Sequence, residues 1–106
     1  MRKPVAIENI EDMRRQHGIY DVELWEQIRA LGVGDFVKLT FLRTPTSAAG
    51  ETLVVRITGL SSPGFRGKLT HAAVSPGLSR LRVGTAVVFT AAHIHSIPKG
   101  RPAHER

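Results

Sequence analysis

The chain contains no cysteine. Disulfides, thiol catalysis and cysteine-ligated zinc are excluded with it. Aromatic residues make up only 6% of the 106 positions, too few to stack successive bases of a single strand. No run of 18 apolar residues occurs, so no segment is expected to span a membrane. Acids almost vanish after position 35, where only Glu51 and Glu105 remain. A carboxylate pair for acid–base chemistry would have to draw on the N-terminal part, for example Asp35 with Glu51. Ser47, Ser61, Ser62, Ser75 and Ser79 fall in turns or loops, without the strand–turn–helix context of a nucleophile elbow. Gly32-x-Gly34 and Gly64-x-x-Gly67 are too short for a phosphate loop and lack its following helix. These absences point to a non-enzymatic protein without a cofactor.

What the chain does have is charge, unevenly placed. The formal net charge is +6. Residues 1–35 carry five basic and seven acidic groups, or −2, and residues 36–106 carry ten and two, or +8. Such a division often marks an anionic partner. The competing reading is an arginine-rich background, neutralised in part by an acidic arm. Met1-Arg2-Lys3 is basic, but residues 4–10 form no apolar signal core and include Glu8. The expected location is cytoplasmic.

The chain length suits one domain, read as an acidic helical arm (1–32), a basic β body (33–97) and a basic tail (98–106) that frays. In the arm, residues 9–17 read as a short helix capped by Asn9, with Asp12 three positions on. Residues 22–31 read as a second, with Asp21 as cap and Tyr20 and Trp25 as a hydrophobic staple. Leu24, Ile28 and Leu31 recur at helical spacing, a stripe that serves core packing or a partner groove. From Phe36 the period becomes two. Strands are expected at 36–43, 52–60, 65–70 and 85–90, with a short fifth at 93–97. Val37, Leu39, Phe41, Leu53, Val55, Ile57, Phe65, Gly67, Leu69, Val87 and Phe89 face inward. Turn chemistry at Ser61-Ser62-Pro63-Gly64 and Ser75-Pro76-Gly77 separates strands. The fold class is α+β: two short N-terminal helices, then a four- or five-stranded antiparallel SH3-like small barrel or strongly bent meander.

Leu31-Gly32-Val33-Gly34-Asp35-Phe36-Val37 is echoed by Leu81-Arg82-Val83-Gly84-Thr85-Ala86-Val87. Each reads as a glycine turn launching a half-buried strand, through a duplicated unit or one solution used twice. The segment Val33-Gly34-Asp35-Phe36-Val37-Lys38-Leu39, the Gly67-Lys68-Leu69 hairpin strand, and Leu81-Arg82-Val83-Gly84 leading to Val87-Val88-Phe89 and His93-Ile94 resemble the YegJ-like bacterial domains of unknown function. The resemblance covers residues 31–97 and implies a small α+β fold, with no mechanism.

Two surfaces are candidates for binding. Alternation sends Lys38, Arg56, Arg66 and Lys68 to the outer face of the first three strands, with Thr40, Thr58 and Thr70 between them. Arg43, Arg80, Arg82, Lys99 and Arg101 adjoin this face. Such a face tracks a nucleic-acid phosphate backbone without reading sequence, or is an ordinary solvated sheet face. His93-x-His95 would share one strand face and hold a metal if His71 or His17 supplied a third ligand. A third possibility is a protein-interaction or assembly subunit. There the acidic arm, through Glu8, Glu11, Asp12, Glu23 and Glu26, docks on its own body or exchanges into a homodimer.

Overall fold

A computed structural model of the chain describes residues 6–16, 18, 22–43, 50–61, 64–75 and 77–98. The elements are β1 (Ala6–Ile7), α1 (Ile10–Gln16), α2 (Val22–Arg29), β2 (Phe36–Leu42), β3 (Gly50–Ser61), β4 (Gly64–Leu69), β5 (Ala86–Thr90), a 3-10 turn (Ala91–His93) and β6 (Ile94–Ser96). All strand pairings are antiparallel, in the order β1-β2-β3-β4-β5, and β6 returns to pair with β2. One edge of β2 carries β3. The other is shared, with β6 along Lys38 and Leu39 and β1 along Phe41 and Leu42. The result is a nearly closed barrel with two helices.

The period-two pattern explains the core. Val37, Leu39, Phe41, Val55, Ile57, Leu69, Phe89 and Ile94 are each at most 2% exposed. Leu24 and Ile28, four residues apart on α2, join the same cluster. Their stripe is therefore core packing, and α2 caps the barrel. Each such side chain contributes about 1.5–3 kcal/mol on full burial. Asn9 caps α1 as expected: its Oδ1 accepts the Asp12 N–H at 2.9 Å. Gly18, at φ +70°, follows the helix. The cap and staple expected at Asp21 and Tyr20, and the tail beyond Pro98, lie outside the described residues.

The sequence echo is a structural one. Gly32–Asp35 and Arg82–Thr85 are both type II turns. The Asp35 and Thr85 amides donate to Gly32 O and Arg82 O, and Gly34 and Gly84 hold φ at +98° and +89°. In each, the last side chain reaches back three residues. Asp35 Oδ2 accepts the Gly32 N–H and Thr85 Oγ1 accepts the Arg82 N–H, both at 2.9 Å. In each, the glycine amide docks on a neighbouring strand, at Ile57 O and Leu69 O respectively, both 2.8 Å. Asp and Thr are equivalent here because the turn needs only an oxygen acceptor. Open space surrounds both glycines, so a methyl group there would cost backbone strain alone. Gly34→Ala and Gly84→Ala should each lower stability by about 1–2 kcal/mol, measured by chemical denaturation.

Four features depart from simple alternation. Strand β1 has no sequence pattern, and its pairing with Phe41 and Leu42 is long-range. A bulge between Ile57 and Gly59 leaves Thr58 extra and sets Gly59 opposite Arg66. Thr40 is buried rather than on the open face, with its hydroxyl 2.8 Å from that of Thr52. The final segment splits, so that residues 91–93 form the 3-10 turn and only Ile94–Ser96 pair with β2.

Candidate nucleic-acid interface

The outer face of the sheet is best seen as rows across the strands. Phe36, Arg56, Lys68 and Ala86 are successive cross-strand partners on β2, β3, β4 and β5. The two equivalent turns lie at opposite ends of this four-stranded region, and the echo relates Phe36 to Ala86. A local pseudo-two-fold axis therefore passes between Arg56 and Lys68. These two cations stand directly opposite each other, and both are exposed. Arg66, also exposed, is two residues along β4 on the same face. Lys38 is opposite Val54, and so diagonal to Arg56, but is half-buried where β6 pairs alongside it. Three of the four expected cations are thus exposed and adjacent, and the fourth is at their margin.

The hydroxyls expected between them are largely committed. Thr40 is buried, and Thr70 Oγ1 donates to Val54 O at 3.1 Å. Thr58 remains exposed on the bulge. The described residues of the acidic arm leave Arg56, Arg66 and Lys68 exposed. The arm's first part runs along the other edge of β2, where the Glu8 N–H donates to Thr40 O and Arg14 donates to His95 O at 2.9 Å, and α2 packs on the core beside Leu60 and Phe65. Among the described residues, the ion pairs from Arg15 to Glu11 and Asp12 stay within α1. Of the adjoining cations, Arg43, Arg80 and Arg82 are exposed, while Lys99 and Arg101 lie outside the described residues.

The body acid has a structural task that the sequence did not signal. Glu51 accepts the Val74 and Ser75 amides at 2.9–3.1 Å, pinning the connection between β4 and β5. Those backbone and Ser75 hydrogen bonds hold its carboxyl below the usual range. Asp35 and Glu51 do not meet. They sit at opposite ends of the β2–β3 ladder, on the order of 20 Å apart at strand rise.

His93 and His95 do not share a strand face. His93 closes the 3-10 turn, and its Nδ1 accepts the Thr90 N–H at 3.0 Å. His95 is exposed on β6, with Nδ1 2.9 Å from the Ser96 hydroxyl. His71 pairs with the Thr70 hydroxyl, and His17 lies outside the described residues. Among the described residues, no three His, Asp or Glu side chains gather to hold a metal ion. Burial lowers the His93 pKa below 6.5, and accepting an amide at Nδ1 also requires the neutral ring. Folding therefore favours the unprotonated form. Its contribution is complete above about pH 6.5 and is lost as pH falls through the lowered folded value. Melting temperature should drop from pH 7.5 to pH 5 by more in the parent than in His93→Gln.

An apolar groove of about 590 Å³ follows the seam between α2 and the barrel, lined by Trp25, Arg29, Leu60, Phe65 and Ala91 among others. No described helix is long and apolar enough to cross a membrane. The chain matches no family model, no curated protein and no solved structure.

Proposed function

We propose that this chain is a small, non-enzymatic, SH3-like barrel of the cytoplasm that holds nucleic acid by its phosphate backbone. Arg56, Arg66 and Lys68 supply the affinity, with Lys38 at the margin. The observation that carries this reading is the Arg56–Lys68 pair. Like charges directly opposite on adjacent strands destabilise a sheet, and here they occur with no acid interposed on that row. A cation pair on an exposed face, with no ion pair to either member among the described residues, is the arrangement that a polyanion would relieve. The face offers little for reading bases. Phe36 is its one aromatic in the central row and is half-buried, so contacts are to the backbone and binding is insensitive to sequence.

The test is fluorescence anisotropy with mixed-sequence duplex DNA and RNA at several salt concentrations. Binding should weaken steeply as salt rises, because each neutralised phosphate releases condensed counterions. Undetectable binding to both duplexes at about 20 mM salt would falsify the reading.

A further inference from the structure

Strand β5 has an open hydrogen-bonding edge. The Leu69 N–H donates to Thr85 O at 3.0 Å, and these residues continue the ladder that pairs Lys68 with Ala86. Bonded pairs alternate along an antiparallel ladder. Val87 and Phe89 therefore bond to β4, while Ala86 and Val88 point their amides and carbonyls away from it. Among the described residues, no strand takes up that side, and Val88 is 69% exposed. The window ends in the chain's own bonds: the Thr85 N–H goes to Arg82 O and the Thr90 N–H to His93 Nδ1. Between them, Ala86-Val87-Val88-Phe89 carries no charge, proline or bulge. Those are the devices that normally blunt an edge.

We propose that β5 pairs antiparallel with β5 of a second copy, about a two-fold axis at Val88. The window fits its own image. With Val88 opposite Val88, the two valines exchange a pair of hydrogen bonds. Thr90 takes no part: as N-cap of the 3-10 turn it directs its carbonyl into the turn's first bond and its amide to His93 Nδ1, so the reciprocal Val88 pair is the centre of the contact. A two-fold axis perpendicular to the sheet keeps both outer faces on one side, so the two cation clusters line one continuous surface. Arg66 shares a row with Val88. The two Arg66 Cα positions are thus three strand spacings, about 14 Å, apart, beyond the Debye length of about 8 Å at physiological salt. A five-residue edge buries less than the roughly 1,200 Å² typical of stable complexes, so the dimer is weak and concentration-dependent.

Sedimentation velocity on the full chain, from about 10 µM to about 1 mM, tests this. The average mass should climb toward two chains. It should climb further in 0.5 M than in 0.1 M salt, because like charges are being screened. A polyanion contaminant or an acidic partner would show the reverse salt dependence. Val88→Lys places two charges at the axis and should weaken association at least tenfold, with an unchanged circular dichroism spectrum. Amide exchange on the unmodified protein gives a second reading: the Val88 amide should exchange more slowly as concentration rises. A monomer throughout, association undiminished in Val88→Lys, or concentration-independent exchange at Val88 would each overturn the proposal.

Discussion

Replacing Arg56 and Lys68 together by alanine should weaken duplex binding about a hundredfold at 0.1 M salt. The magnitude follows from counterion release. Each phosphate contact contributes a slope of about 0.9 in log affinity against log salt, close to tenfold per contact at that concentration. The slope itself should fall by about two. The same double variant should be more stable than the parent by a few tenths of a kcal/mol or more, because it removes a like-charge pair from directly opposed positions. Opposite signs in binding and stability are the signature of a charge kept for a partner and not for the fold. Arg29→Ala makes the comparison, since Arg29 is exposed on α2 at the groove and not on the sheet face. It should leave both the affinity and the salt slope nearly unchanged. Equal losses in Arg29→Ala and the double variant would mean that binding follows net charge alone, and the sheet face would lose its claim.

How far the sequence could be read depended on which forces were local. The alternation in residues 36–42 and 52–57 was legible because one face of each strand meets a single core and period two follows from the backbone. The cation face came with it: once Val37, Val55 and Leu69 point inward, Lys38, Arg56 and Lys68 have no other side. The echo of Leu31–Val37 in Leu81–Val87 was also visible, since glycine at positive φ and an oxygen-bearing residue after it are requirements of the turn itself. What escaped the reading was set by distant partners. Ala6 and Ile7 have no periodicity to betray a strand, and their pairing with Leu42 and Phe41 crosses both helices. The extra residue at Thr58 leaves no mark in composition, yet it decides that Gly59, and no longer a side chain, lies opposite Arg66. His93 looked like a strand residue because His95 is two positions on. Its place is fixed instead by the Thr90 amide, which needs an acceptor where β5 ends. Glu51 likewise answers to two amides more than twenty residues away.

Phe89→Ala should be the most damaging single substitution to the fold itself. Phe89 is 1% exposed and lies in the main core cluster. Its ring stacks on that of its cross-strand partner Phe65, with centroids 5.3 Å apart. Truncation removes the transfer free energy of the ring and leaves a cavity that the strands cannot fill without breaking their ladder. Such changes cost about 3–5 kcal/mol, a large part of the 5–15 kcal/mol typical of a whole domain. At about 4–8 °C per kcal/mol for a domain near this size, the melting temperature should fall on the order of 20 °C. The damage should also be local in a way that amide exchange can resolve. Phe89 is the last buried residue before the chain leaves β5 through Thr90 and the 3-10 turn to close the barrel on β2. Losing its ring loosens β5 and that closure first, while the Asp35–Ile57 and Thr70–Val54 amide bonds of the β2–β3–β4 sheet should outlast it. Arg56 and Lys68 sit on that more durable part. A Phe89→Ala protein held below its transition should therefore retain duplex binding through those two cations while losing protection along β5. Binding that instead collapsed along with β5 would mean that the cation face depends on the closed barrel.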